Sequence, residues 1–442
     1  MKAVRPAAIA IAVIMLSGMR VDAQQPADSM ARQQRQLDSL AALIRDLQGR
    51  MDSSARTPAT VDQSVVPSQA RAGGAYMNIG FVSISDFGWS SERDVGSLQL
   101  GDHDPKVRGF TIPNAELTFD GAVDPYFRGA ASLVFKIDEE GESGFELEEV
   151  YVLTTSLPRN LQIKAGQFFT EFGRQNPQHP HSWAFVDQPL ILNRMFGPDG
   201  FRGQGARLSW LVPTSWYTEA MVTALNSGGE TLFSFRTEES SEINGGVPVE
   251  RDVRGGTDLV VVPRIATSFD PTSTQSVLLG VSAAFGPNNS GPDARSQVYG
   301  ADLYWRWKPA AAQQGFPFIS MQAEALYRRY EAGERESVDD PSVTLPAETF
   351  GDRGAYAQLL WGIRPRIVAG LRGEMASGDD AAFESALRAD RTRISPNVTW
   401  YPTEFSKLRL QYNYDDRQGI GTDHSVWLQF EFLLGAHASH KF

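Results

Sequence analysis

The chain has 442 residues, 41% of them apolar, with 40 glycines, 25 prolines, no cysteine and a formal charge of −12. An acidic chain of this kind is no nucleic-acid binder, which needs a basic face against phosphates. The lack of cysteine excludes disulfide frameworks, thiolate metal centres and cysteine nucleophiles. A mean hydropathy of −0.29 fits a soluble globule, and equally a membrane β-barrel, because half of each barrel strand faces water.

Residues 1–23 read as a secretory signal peptide: Lys2 and Arg5 lead, Ala7–Leu16 form the apolar run, and Val21-Asp22-Ala23 make a small-residue cleavage site. That run is about half the length a membrane-spanning helix needs. Residues 24–56 hold a short helix in which Leu37, Leu40, Ile44, Leu47 and Met51 follow the alternating 3,4 spacing of a coiled-coil seam. A second copy is the expected partner for that seam, with an isolated amphipathic helix as the alternative. Residues 57–72, carrying Pro58 and Pro67, form a linker.

From residue 73 to 442 the period changes to two. Lys407–Asp415 shows it: Leu408, Leu410, Tyr412 and Tyr414 alternate with Lys407, Arg409, Gln411, Asn413 and Asp415. Sixteen such strands are expected, starting near residues 75, 108, 126, 145, 161, 203, 216, 259, 276, 296, 318, 354, 366, 393, 407 and 424. Their connections alternate in character. One set is short and usually built on proline; the other is mostly longer and rich in Gly, Ser, Asp and Glu. Short turns on one rim and long loops on the other are the pattern of an outer-membrane β-barrel. The expected fold is therefore all-β, a transmembrane antiparallel barrel of sixteen strands in the cell outer membrane. An even strand count places both ends, and the coil, in the periplasm. Phe442 suits the terminal aromatic of a barrel assembly signal. The polar faces must then look inward around water, and Trp183, Trp210, Trp216, Trp305, Trp307, Trp361 and Trp400 are expected at the membrane interfaces.

The loop at 173–202 is long and mixed in composition, and is expected to fold inward as a constriction. It carries Arg174, His179, His181, Asp187, Arg194, Asp199 and Arg202 together with Trp183, Phe185 and Phe196. On the wall, Arg128, Lys164, Arg207, Arg306, Arg328, Arg372 and Arg409 fall on the inward face. With Arg174, Arg194 and Arg202 they make up the candidate selectivity set. Inward acids (Glu116, Asp120, Glu146, Glu148, Glu219, Asp302, Glu324, Glu374, Asp415 and Glu431) are slightly outnumbered once the further inward bases Arg108, Lys136, Arg264, Lys308, Arg393 and Lys407 are added to the wall residues, so the lumen reads as neutral to mildly positive. The acidic excess then belongs to the outer loops, where the acids either hold divalent cations that bridge to lipopolysaccharide or are simply solvated. His179-Pro180-His181 and His437/His440 have metal-like spacing, but with no reliably placed third ligand they read as packing residues, and no metal or cofactor is assigned. No catalytic residue is assigned either: no Ser–His–Asp context or G-x-S-x-G motif supports a barrel lipase or protease. A structural or adhesive envelope protein using the coil is the other alternative.

Four segments carry a family likeness: FTIPNAELTFDGAVDPYFRGAASLVF (110–135), GQFFTEFGRQNPQHPHSWAFVDQPL (166–190), FGPDGFRGQGARLSWLVP (196–213) and the ending GAHASHKF. The sequence resembles the phosphate-selective porin O/P family, within the wider superfamily of bacterial outer-membrane porins. The resemblance implies a sixteen-stranded trimeric porin with a constricting third loop and a periplasmic N-terminal extension. It also implies passive diffusion of small hydrophilic solutes or ions, with anions and phosphate favoured. Glu324, Glu374 and Glu431 interrupt the basic row that such selectivity would use.

Overall fold

Alternation of side chains along an extended chain gives each strand two unlike faces, and here sixteen strands bring the unlike faces together around one closed cylinder. The computed structural model describes residues 76–98, 101–137, 141–249 and 253–435. The expected signal peptide, coil, linker, His437, His440 and Phe442 lie outside the described residues. The strands are β1 (Tyr76–Ser90), β2 (Gly109–Ala122), β3 (Phe127–Ile137), β4 (Ser143–Thr154), β5 (Leu161–Phe169), β6 (Arg202–Leu211), β7 (Tyr217–Asn226) and β8 (Leu259–Thr272). They continue as β9 (Gln275–Pro287), β10 (Arg295–Trp307), β11 (Phe318–Ala332), β12 (Glu348–Arg364), β13 (Ile367–Gly378), β14 (Arg391–Thr403), β15 (Ser406–Arg417) and β16 (Gly421–Gly435).

Each strand pairs antiparallel with its neighbours in sequence, and β1 closes on β16 from Gly80↔Gly435 to Ser90↔Ser425, so the barrel has no open edge. The expected starts lie within three residues of those found, except at β12, expected from Gly354 and found from Glu348. Gly351 and Asp352 disguise that upper part as loop, yet Asp352 points inward and is buried against Arg328. Short turns and long loops do alternate by rim, although the final long-rim connection, 418–420, is itself a tight turn.

The barrel is inside-out relative to a soluble protein. Along β14, Arg391, Arg393, Ser395, Asn397 and Thr399 are buried, while Ile394, Val398 and Trp400 are exposed on the outer surface. Outward Trp210, Trp216, Trp361 and Trp400 are each at least 43% exposed, and with half-buried Trp305 and Trp307 they gather at the short-turn rim. Trp183 does not join them. It is buried inside, its indole Nε1 donating to the Gln178 carbonyl at 2.9 Å, because its loop lies in the lumen.

A second expectation needs correcting. The interior is not uniformly polar and water-filled. On the β7–β13 side, inward Leu225, Val260, Val262, Ala284, Val298, Leu326 and Ala376 form a buried apolar wall. Against it pack Phe172 and Phe201 of the inward loop and Ile191, Leu192, Met195 and Phe196 of its short helix α1 (Leu190–Phe196). Each Val, Leu, Ile, Met or Phe among them gains about 1.5–3 kcal/mol by leaving water. Strand β8 announces this in its run Leu259–Val262, which is apolar on both faces instead of alternating.

Candidate functional site

Residues 170–201 join β5 to β6 and fold into the lumen as the sequence suggests. The loop turns inward at Gly173, whose φ of +64° is left-handed and whose missing Cβ leaves room for the Glu324 carboxylate. Glu324 accepts the backbone N–H groups of Arg174 at 3.1 Å and Gln175 at 2.7 Å.

Further along, the wall grips the loop through its carbonyls. Lys407 donates to His181 O at 2.7 Å, Arg409 to Trp183 O at 2.7 Å and Phe185 O at 3.0 Å, and Asn397 to Ala184 O at 2.9 Å. Asp187 then enters a buried knot. It pairs with Arg372 and with Arg393 at 3.1 Å, and accepts from Gln411 at 3.0 Å and Asn413 at 3.1 Å. Burial pushes the Asp187 carboxyl up, but the Arg393 and Arg372 guanidiniums more than offset this and hold it at about 2. Glu374 pairs with both arginines and accepts the Leu190 N–H at 2.7 Å. Buried ions in such a set are tolerable only because each has partners.

The candidate selectivity residues therefore separate by role. Arg372 and Arg409 hold the loop as just described; Arg328 pairs with Asp352 and donates to Arg194 O, and Arg194 donates to Arg388 O at 3.1 Å. Arg202 pairs with Glu146, and Arg207 with Glu171, at the root of β6. Arg128 pairs with Asp120 at 3.1 Å, and Arg306 lies over the Phe318 ring, both toward the short-turn rim. Only Lys164 and Arg174 of the set line the open space beside the loop.

That space is a chamber of about 770 Å³ bounded by β2–β5, β7–β9 and the loop. Its lining carries the acids Glu116, Asp120, Glu149, Glu171 and Glu219, the bases Lys164, Arg174 and Arg264, and both His179 and His181. Lys164 sits 4.0 Å from the Tyr151 ring centroid and Arg174 4.1 Å from that of Tyr304, cation–π contacts that fix both head groups. Arg264 forms a fork with Asp302 at 2.6 and 3.0 Å.

Glu149 is the residue that alternation hides. Ser132 pairs with Glu149 but Leu133 pairs with Leu147, so Glu148 is the extra residue of a β-bulge. The bulge turns Glu148 and Glu149 toward the lumen in succession. Both meet His179: its Nδ1 lies 2.9 Å from Glu148 Oε2 and 3.1 Å from Glu116 Oε1, and its Nε2 lies 3.1 Å from Glu149 Oε2. His181 Nδ1 reaches Glu116 Oε2 at 3.0 Å, and His103 Nε2 lies 3.6 Å from Glu148 Oε1. A sequence gives two glutamates in a row as one inward and one outward. Only the pairing shows otherwise.

A protein of Aquifex aeolicus described as uncharacterized is 32% identical over 358 residues, spanning 76% of this chain and 70% of its own length. The two belong to one family. No established family profile matches the chain. Among solved structures, the outer membrane channel DcaP of Acinetobacter baumannii is similar with a TM-score of 0.53 at 15% identity, over 84% of this chain and 100% of that one. The anion-selective porin from Comamonas acidovorans gives 0.52 at 8% identity, over 82% and 100%. The fold, a closed barrel of sixteen antiparallel strands, is that of outer-membrane porins.

Proposed function

We propose that the protein is an outer-membrane porin that lets small hydrophilic solutes and ions diffuse passively. The observation that carries this reading is the pairing of an apolar outer surface with an internal chamber lined by ionised side chains beside an inward loop. Only a barrel surrounded by lipid makes sense of Ile394, Val398 and Trp400 outside and Arg393 inside on one strand. The long-loop rim then faces the cell exterior and lipopolysaccharide, the short-turn rim faces the periplasm, and porin resemblance favours a trimer.

Weak selectivity follows from the charges. Arg328, Arg372, Arg393 and Arg409 spend their donors on Asp352, Asp187, Glu374 and loop carbonyls, leaving little for a passing phosphate. Chamber acids outnumber chamber bases, so a strong preference for anions has no support in the wall. The test is reconstitution in planar bilayers under asymmetric salt. We expect stepwise openings, in threes for a trimer, with a reversal potential near zero; absence of conductance from folded protein would overturn the channel reading.

A further inference from the structure

The His179 cluster has a feature that loop packing alone leaves unexplained. Its Nε2 is engaged by the Glu149 carboxylate. Its Nδ1 faces two further carboxylate oxygens, Glu148 Oε2 and Glu116 Oε1, so three carboxylates surround one imidazole. Neither Nδ1 nor Glu148 Oε2 has a hydrogen bond, although they lie 2.9 Å apart and Glu148 is only 1% exposed. Carboxylates converging on Nδ1 need a positive charge there, either the proton of an imidazolium or a metal ion that displaces it.

We propose that His179 Nδ1, Glu116 and Glu148 bind a first-row divalent metal ion of the zinc class. Their three ligand atoms all lie within 4.8 Å of one another. Ligands about 2.0–2.1 Å from a tetrahedral ion stand ~3.3 Å apart, close to the 2.9 and 3.1 Å separations here. Imidazole and carboxylate donors without thiolate suit zinc, cobalt or nickel better than calcium or copper(I). The surroundings supply the orienting contacts that metal ligands use. Glu149 fixes the ring of His179, while Ser132 Oγ at 2.9 Å and His181 at 3.0 Å hold Glu116. Glu116 and His179 line the chamber, so an ion and a water as fourth ligand reach the site through the lumen.

The other acidic group nearby makes a useful contrast. Asp102 and Asp199 also converge close to His103, but the Lys136 ammonium already lies between them. At His179, among the described residues, no lysine or arginine takes that place: Arg202 comes no nearer than 4.0 Å to Glu148. Because the ligands come from the loop, β2 and β4, a bound ion ties the inward loop to the wall on the chamber side.

The experiment uses the full chain, folded in detergent, stripped with chelator and titrated with Zn²⁺ or Co²⁺. We expect one ion per chain retained through gel filtration, and visible Co²⁺ absorption of a four-coordinate N/O site. His179→Ala and Glu148→Gln should lose at least 100-fold in affinity, and Glu149→Gln 10–100-fold, whereas the His437→Ala/His440→Ala double variant should bind normally. Barrel folding of each variant is checked by heat-modifiable gel mobility. No stoichiometric uptake, or uptake unchanged in Glu148→Gln or in Glu149→Gln, would overturn the site; if His179→Ala fails to fold, these two conservative variants decide alone. These readouts do not depend on the channel reading, so silence in a bilayer would sink that proposal without touching this one.

Discussion

The inward loop is clasped on two sides by different chemistry. On the β13–β15 side the clasp is Asp187 with Arg372, Arg393, Gln411 and Asn413, built from guanidiniums that never lose their charge. On the β2/β4 side it is His179 and His181 among Glu116, Glu148 and Glu149, whose charge depends on what occupies the imidazole. The first clasp fixes the loop permanently. The second is exchangeable, and it is the one that borders the chamber.

Breaking the permanent clasp should have the largest effect. Asp187→Ala removes one of the two carboxylates that neutralise the buried Arg372 and Arg393, leaving Glu374 to both, and should cost about 4 kcal/mol in urea-dependent folding into phospholipid bilayers, within the range for a broken buried ion pair. In the surviving channels, conductance should rise as the loop loosens. Next comes the apolar packing that both clasps depend on. Phe196→Ala empties the space between Phe172 and Phe201, whose rings lie 5.0 and 4.9 Å from its own, and should cost about 3–4 kcal/mol by the same assay.

The exchangeable clasp should be weaker. His179→Ala in chelator should cost about 2 kcal/mol, the scale of charge-assisted hydrogen bonds. A loss as large as that of Asp187→Ala would show the two clasps to be equivalent and end the distinction. The smallest effect belongs outside the lumen: Arg353, paired with Asp379 at 3.1 Å on the exposed rim, should change stability by less than about 1 kcal/mol when replaced by Ala.

Much of this arrangement is legible in the sequence alone. Alternation in segments such as Lys407–Asp415 placed strand after strand, and the faces it assigned to β15 are the faces found. The mixed loop at 173–202 was readable as an inward element because no other connection joins so many aromatics to so many charges. Three things were not legible, each for a physical reason. The bulge at Glu148 breaks the period of two, so Glu149 reads as outward. The apolar wall behind α1 depends on which strand faces which part of the loop, a long-range pairing that residue types do not encode. The inward arginines were legible as inward but not as paired. Whether a guanidinium meets a solute or a carbonyl depends on a loop distant in the chain, 224 residues away for Arg409 and Phe185.

The six tryptophans gathered at the short-turn rim give the cylinder a heavy end. Indole rings settle at the boundary between headgroups and acyl chains, so that rim carries the heavier anchor, while the opposite rim is held by Trp89 and by outward Tyr299, Tyr327, Tyr412 and Tyr414. Steady-state emission from the native protein is therefore dominated by one leaflet. Quenchers placed at graded depths would read chiefly the seating of that rim.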